Sequence, residues 1–263
     1  MTLADPAGLC AVVTGGGGML GRSMALAFAA AGMNVVVADV REEAAQRVAD
    51  EVAAKGVGAL AVATDVADLA SVTALADRAY GEFGAVNLLC NNAGRNLFKP
   101  LWELSAGEWQ DTLSSHLGGV VNGVLAFLPR LMEQGGERHI VNTSSMSGVG
   151  LGSLRPTHVP YVAAKFAIAG MSEAMAPALA PHGIGVSVLC PGWVSADAVP
   201  EVLAPSAAFY KDDVLDPAHV GPIVLRGVQE GRLHIFTHPT GVAEVEQRHE
   251  LLLRGFAQAS ADG

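Results

Sequence analysis

Apolar strand-like runs alternate with helical periodicity along nearly the whole chain, and no other feature limits its possible folds as much. Residues 9–14, 34–39, 60–64, 86–90, 139–143, 186–190 and 233–237 read as strands. Helical periodicity runs through Met24, Phe28 and Ala31, across 42–54, and in a closing segment over 242–256. Strands that are apolar at almost every position are buried on both faces, as in a parallel sheet covered by helices on each side. The expected fold is α/β, a doubly wound parallel sheet of about seven strands. No linker, charge block or internal repeat divides the 263 residues. One domain spanning 1–263 is therefore expected.

Composition removes several function classes. Hydrophobic residues make up 51% of the chain and charged residues 16%, which argues against disorder. No apolar run approaches the ~20 uncharged residues of a membrane span. Met1-Thr2-Leu3-Ala4-Asp5-Pro6 has neither the basic nor the apolar region of a signal peptide. Cys10, Cys90 and Cys190 fall inside predicted strands and read as small core residues in a reducing compartment. The histidines are scattered, and His234 and His238 lie in a strand and turn instead of on one helical face, so no metal site is expected. A net charge of −10 opposes sequence-independent nucleic-acid binding. The expectation is a cytoplasmic protein with no membrane or nucleic-acid partner.

Two regions carry chemistry. The first is Thr14-Gly15-Gly16-Gly17-Gly18-Met19-Leu20-Gly21, placed between the first predicted strand and helix. Gly16, Gly18 and Gly21 fit a dinucleotide-binding spacing, in which bare backbone and a helix N-terminus receive a pyrophosphate. Four consecutive glycines also fit a tight structural turn. Asp39, at the end of the second strand, is where a carboxylate would accept from ribose hydroxyls and repel a 2′-phosphate. That favours NAD over NADP, with Arg22 and Arg41 as the residues that could reverse the preference. A helix N-cap is the other reading of Asp39.

The second region pairs Tyr161 with Lys165 on one helical face, downstream of Ser144-Ser145. An ammonium at ~4 Å is worth about 4 kcal/mol at an effective dielectric of ~20. That is roughly three pKa units, enough to make a phenol a general acid or base. The pair alone also fits a half-buried tyrosine and a solvated lysine on an ordinary amphipathic helix.

Thr14-Gly15 with Gly21, Asp39, Asp65-Val66, Asn91-Asn92-Ala93-Gly94, Ser145, Tyr161 with Lys165, and Pro191-Gly192 occur in one order along the chain. In that order the chain resembles the short-chain dehydrogenase/reductase family over essentially its whole length. The resemblance implies hydride transfer between NAD(H) and a secondary alcohol or ketone. It gives Tyr161 the role of proton carrier, Lys165 that of ribose holder and phenol activator, and Ser145 the hydrogen bond to the reacting oxygen, with Ser144 and Ser147 as competitors. Cofactor contacts carried over fall on Gly15, Gly18, Met19, Leu20, Gly21, Asp39, Asp65, Val66, Asn92, Ala93, Gly94, Tyr161, Lys165, Pro191, Gly192 and Val194.

Three positions depart from the family pattern. Met19 stands in place of a glycine, which implies a slightly altered turn. His116 stands where the family has the Asn of its catalytic tetrad, and either a functional or a merely packed histidine fits. Ala196 replaces a Thr that contacts the nicotinamide, with Ser195 beside it. The stretch 148–160 is expected to border the pocket, and Arg95–Phe98, Trp193 and 199–210 are its other expected walls, with Leu97, Phe98, Leu151, Leu154, Trp193, Phe209 and Tyr210 making them apolar and favouring an apolar or aromatic substrate. The stretch 195–216 is the expected lid. The resemblance implies a homodimer or homotetramer through helices over 109–132 and 161–180. A nucleotide-sensing regulator and a methyltransferase are the alternatives from other classes.

Overall fold

The computed structural model describes residues 3–150, 157–195 and 214–261. Seven strands lie in one parallel sheet: β1 (Cys10–Thr14), β2 (Asn34–Asp39), β3 (Ala59–Ala63), β4 (Leu88–Asn91), β5 (Arg138–Thr143), β6 (Ile184–Cys190) and β7 (His234–Phe236). Their order is β3-β2-β1-β4-β5-β6-β7, so the winding reverses between β1 and β4. Each predicted strand is present within about two residues at either end. Val86 and Asn87 fall outside β4, although Asn87 still pairs on both sides. Its N donates to Cys10 O and its O accepts from His139 N, each at 2.8 Å, and its side chain accepts from Cys10 N at 3.1 Å and donates to Glu137 O at 3.0 Å.

The helices are α1 (Met19–Ala30), α2 (Glu42–Ala53), α3 (Leu69–Phe83), α4 (Ala106–Leu113), α5 (Gly119–Glu133), α6 (Val159–Leu179), α7 (Val220–Gln229) and α8 (Val242–Ala261). Strand side chains alternate between two cores. Ala11 and Val13 join Met24 and Phe28 of α1, Val48 of α2 and Val224 of α7 on one face. Cys10 and Val12 join Leu75 of α3 and Phe127 of α5 on the other. Phe28 and Phe127 are fully buried. Cutting either back to alanine costs about 3–5 kcal/mol by the usual measure. The three cysteines are free and buried, as expected. Among the described residues no helix is long and apolar enough to cross a membrane, and no cluster of His, Cys, Asp or Glu could hold a metal ion.

Candidate active site

The reversal between β1 and β4 leaves a crevice beyond the carboxyl ends of the strands, where open α/β sheets bind ligands. Here it is a cavity of about 940 Å³. All the residues that sequence analysis assigned to catalysis or cofactor contact line it, from Gly15 to Val194. They reach it from the strand ends and loops after β1 to β6, from the start of α1, from the turn between α4 and α5 and from α6.

At one end lies the glycine turn. Gly15 has φ of 63°, and a Cβ there would stand 2.8 Å from the Ala93 Cα. A Cβ on Gly21 would stand 2.2 Å from the Gly15 carbonyl oxygen, so α1 packs directly on the turn. These two positions demand glycine. Met19 opens α1 and stays 49% exposed, so the turn closes without the glycine the family pattern has there. Thr14 Oγ1 accepts from Asn92 N at 2.9 Å, and Asn92 Nδ2 donates to Thr14 O at 2.9 Å, which ties the ends of β1 and β4 together.

Asp39 is buried and does not cap α2, whose N-cap is Arg41. Its carboxylate accepts from Gly17 N at 3.1 Å, from Arg41 N at 3.0 Å and from Arg41 Nε at 3.3 Å. It thus links the second strand to the glycine turn. Arg22 pairs with Glu51 on the exposed flank, away from Asp39. Beside them, Asn122 Nδ2 of α5 holds the Val66 carbonyl at 2.8 Å, and Asp65 Oδ1 accepts from Ala67 N at 2.9 Å.

At the other end are Ser145, Tyr161 and Lys165. Ser144 Oγ is committed to the Lys165 carbonyl at 2.7 Å. Ser145 Oγ accepts from Ser147 N at 3.1 Å and donates to Pro191 O at 3.5 Å, so unlike Ser144 it is not committed to the Lys165 carbonyl. Lys165 is buried; its Nζ donates to Thr143 O at 2.8 Å and lies 5.3 Å from the Tyr161 ring centroid. Burial pushes the Lys165 amine down to about 7. Burial also raises the Tyr161 phenol, against a downward pull from Ser145. Tyr161 keeps part of its surface open to the cavity, which moderates that push. The expected lowering of the phenol by Lys165 is therefore not found. The ammonium addresses a carbonyl and the ring face, and loss of solvent dominates both groups.

His116 belongs to a π turn, Ser114–Gly118, between α4 and α5. A capping box of Ser105 and Glu108 starts α4 and sets the approach of this helical run. His116 is buried, with its ring edge-on to Tyr161 at 5.1 Å between centroids and 83° between planes. Its Nε2 lies 3.2 Å from Arg95 O, an acceptor, so this nitrogen carries the proton and Nδ1 is bare. Burial first, and then the Lys165 charge, push the imidazole down to about 3. At neutral pH it is an uncharged ring braced between a carbonyl and a phenol.

Arg95, Asn96, Phe98 and Trp193 line the cavity as walls, whereas Leu97 is not among its lining residues. Leu151, Leu154, Ala196, Phe209, Tyr210 and all of the expected lid between 196 and 213 lie outside the described residues. His158, within the stretch 148–160 expected to border the pocket, lines the cavity, and so does Thr143, which sequence reasoning missed. Phe98 meets His158 edge-on at 4.4 Å, and His158 stands 6.1 Å from Tyr161. Nothing in Thr157-His158-Val159-Pro160 marks His158 beyond the start of a helix with Pro160 in its first turn.

The short chain dehydrogenase family model matches residues 9–207. The chain is 34% identical over 232 residues to 1-deoxy-11-beta-hydroxypentalenate dehydrogenase of Streptomyces exfoliatus, covering 87% of this chain and 82% of that one. It is 30% identical over 270 residues to C alpha-dehydrogenase of Sphingobium sp. strain SYK-6, covering 96% and 88%. A solved short-chain dehydrogenase/reductase from Burkholderia phymatum in complex with NAD superposes with a TM-score of 0.85 at 33% identity, covering 95% of this chain and 96% of that one. Fold, site and relatives agree: the chain belongs to the short-chain dehydrogenase family, and it is an oxidoreductase that acts on CH–OH and C=O groups with a nicotinamide cofactor.

Proposed function

We propose that the enzyme interconverts an apolar, aromatic-bearing secondary alcohol and its ketone with NAD(H), using Tyr161 as general acid and base. What carries the reading is the convergence of Ser145, Tyr161 and Lys165 at one end of a cavity whose other end holds the glycine turn and Asp39. The residues fit a dinucleotide. The turn is bare backbone that a Cβ would fill at Gly15 and Gly21, and it opens onto the N-terminus of α1. Asp39, buried at the end of β2, offers a carboxylate to ribose hydroxyls and repels a 2′-phosphate, which supports NAD over NADP. Lys165 and Asn92 would flank the nicotinamide ribose side, and 191–194 its ring. When bound, the cofactor accepts or supplies the hydride.

The protein's own part is positional and protonic. Ser145 orients the substrate oxygen with a hydrogen bond. Tyr161 gives its phenolic proton to that oxygen in reduction, and takes the hydroxyl proton in oxidation. His116, uncharged and edge-on to the phenol ring, fixes the ring's orientation instead of carrying protons. Aromatic groups at Phe98, His158 and Trp193 support a flat apolar substrate.

In the same reading the protein works as a homodimer or homotetramer. Leu125 on α5 is 56% exposed and available to a partner, whereas Leu128 and Met175 pack on the core.

The test is NADH formation from a panel of apolar and aromatic secondary alcohols, repeated with Tyr161→Phe. Turnover in the wild type, a loss of about a thousandfold or more in the variant and retained NADH binding are expected. Comparable turnover in Tyr161→Phe removes the assignment.

A further inference from the structure

Thr237 and His238 follow β7 and lie outside the catalytic and cofactor-contacting sets described above, yet both are buried against the turn that walls the reactive end. β7 pairs with β6 up to Cys190 opposite Phe236. One step further the ladder meets Pro191, which has no N–H to give. Side chains take over the pairing there. Gly192 N donates to Thr237 Oγ1 at 3.0 Å and to His238 Nδ1 at 3.2 Å. Thr237 Oγ1 also lies 2.6 Å from His238 Nδ1. His238 Nε2 lies 3.0 Å from Trp193 O.

The proton positions follow from the acceptors. A carbonyl oxygen can only accept, so His238 Nε2 carries the hydrogen and the single lone pair of Nδ1 accepts from the Thr237 hydroxyl at 2.6 Å, while the Gly192 N–H is shared between Thr237 Oγ1 and Nδ1. All the polar atoms of this clamp are then satisfied at once. Gly192 is confined from the same side, since a Cβ there would stand 2.5 Å from His238 Nδ1. Trp193 O receives a second hydrogen bond from Leu215 N at 3.0 Å, and Ser195 N donates to Leu215 O at 3.3 Å. The Trp193 carbonyl is thus the node at which the turn, the strand end of β7 and the far side of the 196–213 stretch are joined.

We propose that Thr237 and His238 are positioning residues of the reaction, holding the 191–194 turn so that Trp193 stands at a fixed place in the substrate wall. The inference rests on the reading of this cavity as the alcohol and ketone site. His238 bonds the backbone of the turn and the Thr237 hydroxyl and no reacting group, so it sets substrate fit without entering proton transfer.

The experiment compares His238→Gln, His238→Asn and His238→Ala in a Trp102→Phe, Trp109→Phe background, where Trp193 alone emits. Glutamine retains a donor near the Nε2 position, and asparagine an acceptor near the Nδ1 position. Each protein is assayed for kcat and KM with an aromatic secondary alcohol and NAD⁺, NADH binding, Trp193 emission and melting temperature. The alanine and asparagine variants should raise KM by about ten- to thirtyfold and shift the emission, while glutamine stays within about threefold of the parent. NADH affinity should fall by less than KM rises, because the glycine turn and Asp39 hold the far end of the dinucleotide while the clamp reaches only the 191–194 turn beside its nicotinamide. Parental KM and emission in His238→Ala, or equal losses in the glutamine and alanine variants, would overturn the clamp. A parent that turns over no alcohol or ketone would sink the functional reading alone. The emission series then decides the clamp by itself: a shift in alanine restored by glutamine supports it, and no shift refutes it.

Discussion

Gly94→Ala is the substitution that most directly tests how the reactive end is held. A Cβ on residue 94 would stand 2.1 Å from His116 Nδ1 and 2.2 Å from Cε1. Ordinary contact needs about 3.5 Å, so the imidazole must retreat by more than ~1 Å. It has little room, being buried, bonded to Arg95 O at 3.2 Å and edge-on to Tyr161 at 5.1 Å. Overpacking of this kind costs about 1–3 kcal/mol of stability. A shift of ~1 Å passed on to the phenol costs about a hundredfold in rate. The expected result is therefore a melting temperature lowered by several degrees and kcat for alcohol oxidation reduced by about a hundredfold. Adding His116→Ala to the variant removes the obstructing ring. The double variant should recover most of the rate, with a coupling of about 1–3 kcal/mol across the cycle. Wild-type kcat in Gly94→Ala refutes the steric reasoning. A double variant no faster than Gly94→Ala would mean that the methyl group obstructs the cofactor or substrate directly.

Two further substitutions probe the electrostatics. Asp39→Ala removes the carboxylate that holds Gly17 N and Arg41; the ratio of kcat/KM for NADP⁺ over NAD⁺ should rise by about ten- to a hundredfold, from the ~1.5–3 kcal/mol of a charged hydrogen bond, and an unchanged ratio denies Asp39 the selecting role. His116 is held down to about 3 in the native protein, against ~6.5 in an unfolded chain. Between those values the unfolded chain binds a proton that the native one refuses, so His116 removes native stability as pH falls through this window. His116→Asn should therefore gain melting temperature relative to wild type between about pH 7 and 5 while its neutral-range pH–rate profile stays the same. An inflection near neutrality that disappears in the variant would restore His116 as a proton carrier.

The strands were legible because parallel strands buried on both faces are written as continuous apolar runs, and β2, β5 and β6 lie almost where those runs lie. The site was legible because its residues sit at the carboxyl ends of those strands, so a correct strand order brings Gly15, Asp39, Asn92, Ser145 and Pro191 to one crevice. Membership of the family and its enzyme class set aside the regulator and methyltransferase alternatives. The choice between Ser144 and Ser145 was not readable from spacing, because it depends on which hydroxyl the Lys165 carbonyl captures. Nor could the sequence expose the Thr237–His238 clamp, which arises only because Pro191 ends the ladder beside β7. Burial, and not the Lys165 charge, sets the direction of the Tyr161 phenol for a related reason. Spacing gives the separation of two groups along a helix, but the solvent each loses depends on everything packed around them.

That loss of solvent has a consequence for direction. Burial raises the Tyr161 phenol and the Cys190 thiol, the latter to about 12, and lowers the Lys165 amine to about 7 and the His116 imidazole to about 3. Acids go up and bases go down, so one cause drives these four groups toward their uncharged forms. A raised phenol is protonated throughout the neutral range, and its base form appears only as pH climbs above the ordinary value of ~10. Reduction of a ketone needs the protonated phenol as acid, and that form is already present. Oxidation of an alcohol needs the phenolate as base, and its population grows about tenfold per pH unit below the phenol's pKa. The phenol should therefore add no inflection to kcat/KM for reduction from about pH 6 to 8, where any change reports the Lys165 amine losing its proton near about 7, while kcat/KM for oxidation keeps rising across the same range. A measured oxidation profile that levels off near neutral pH would show the phenol lowered instead of raised, and would return to Lys165 the activating role that burial removes in this structure.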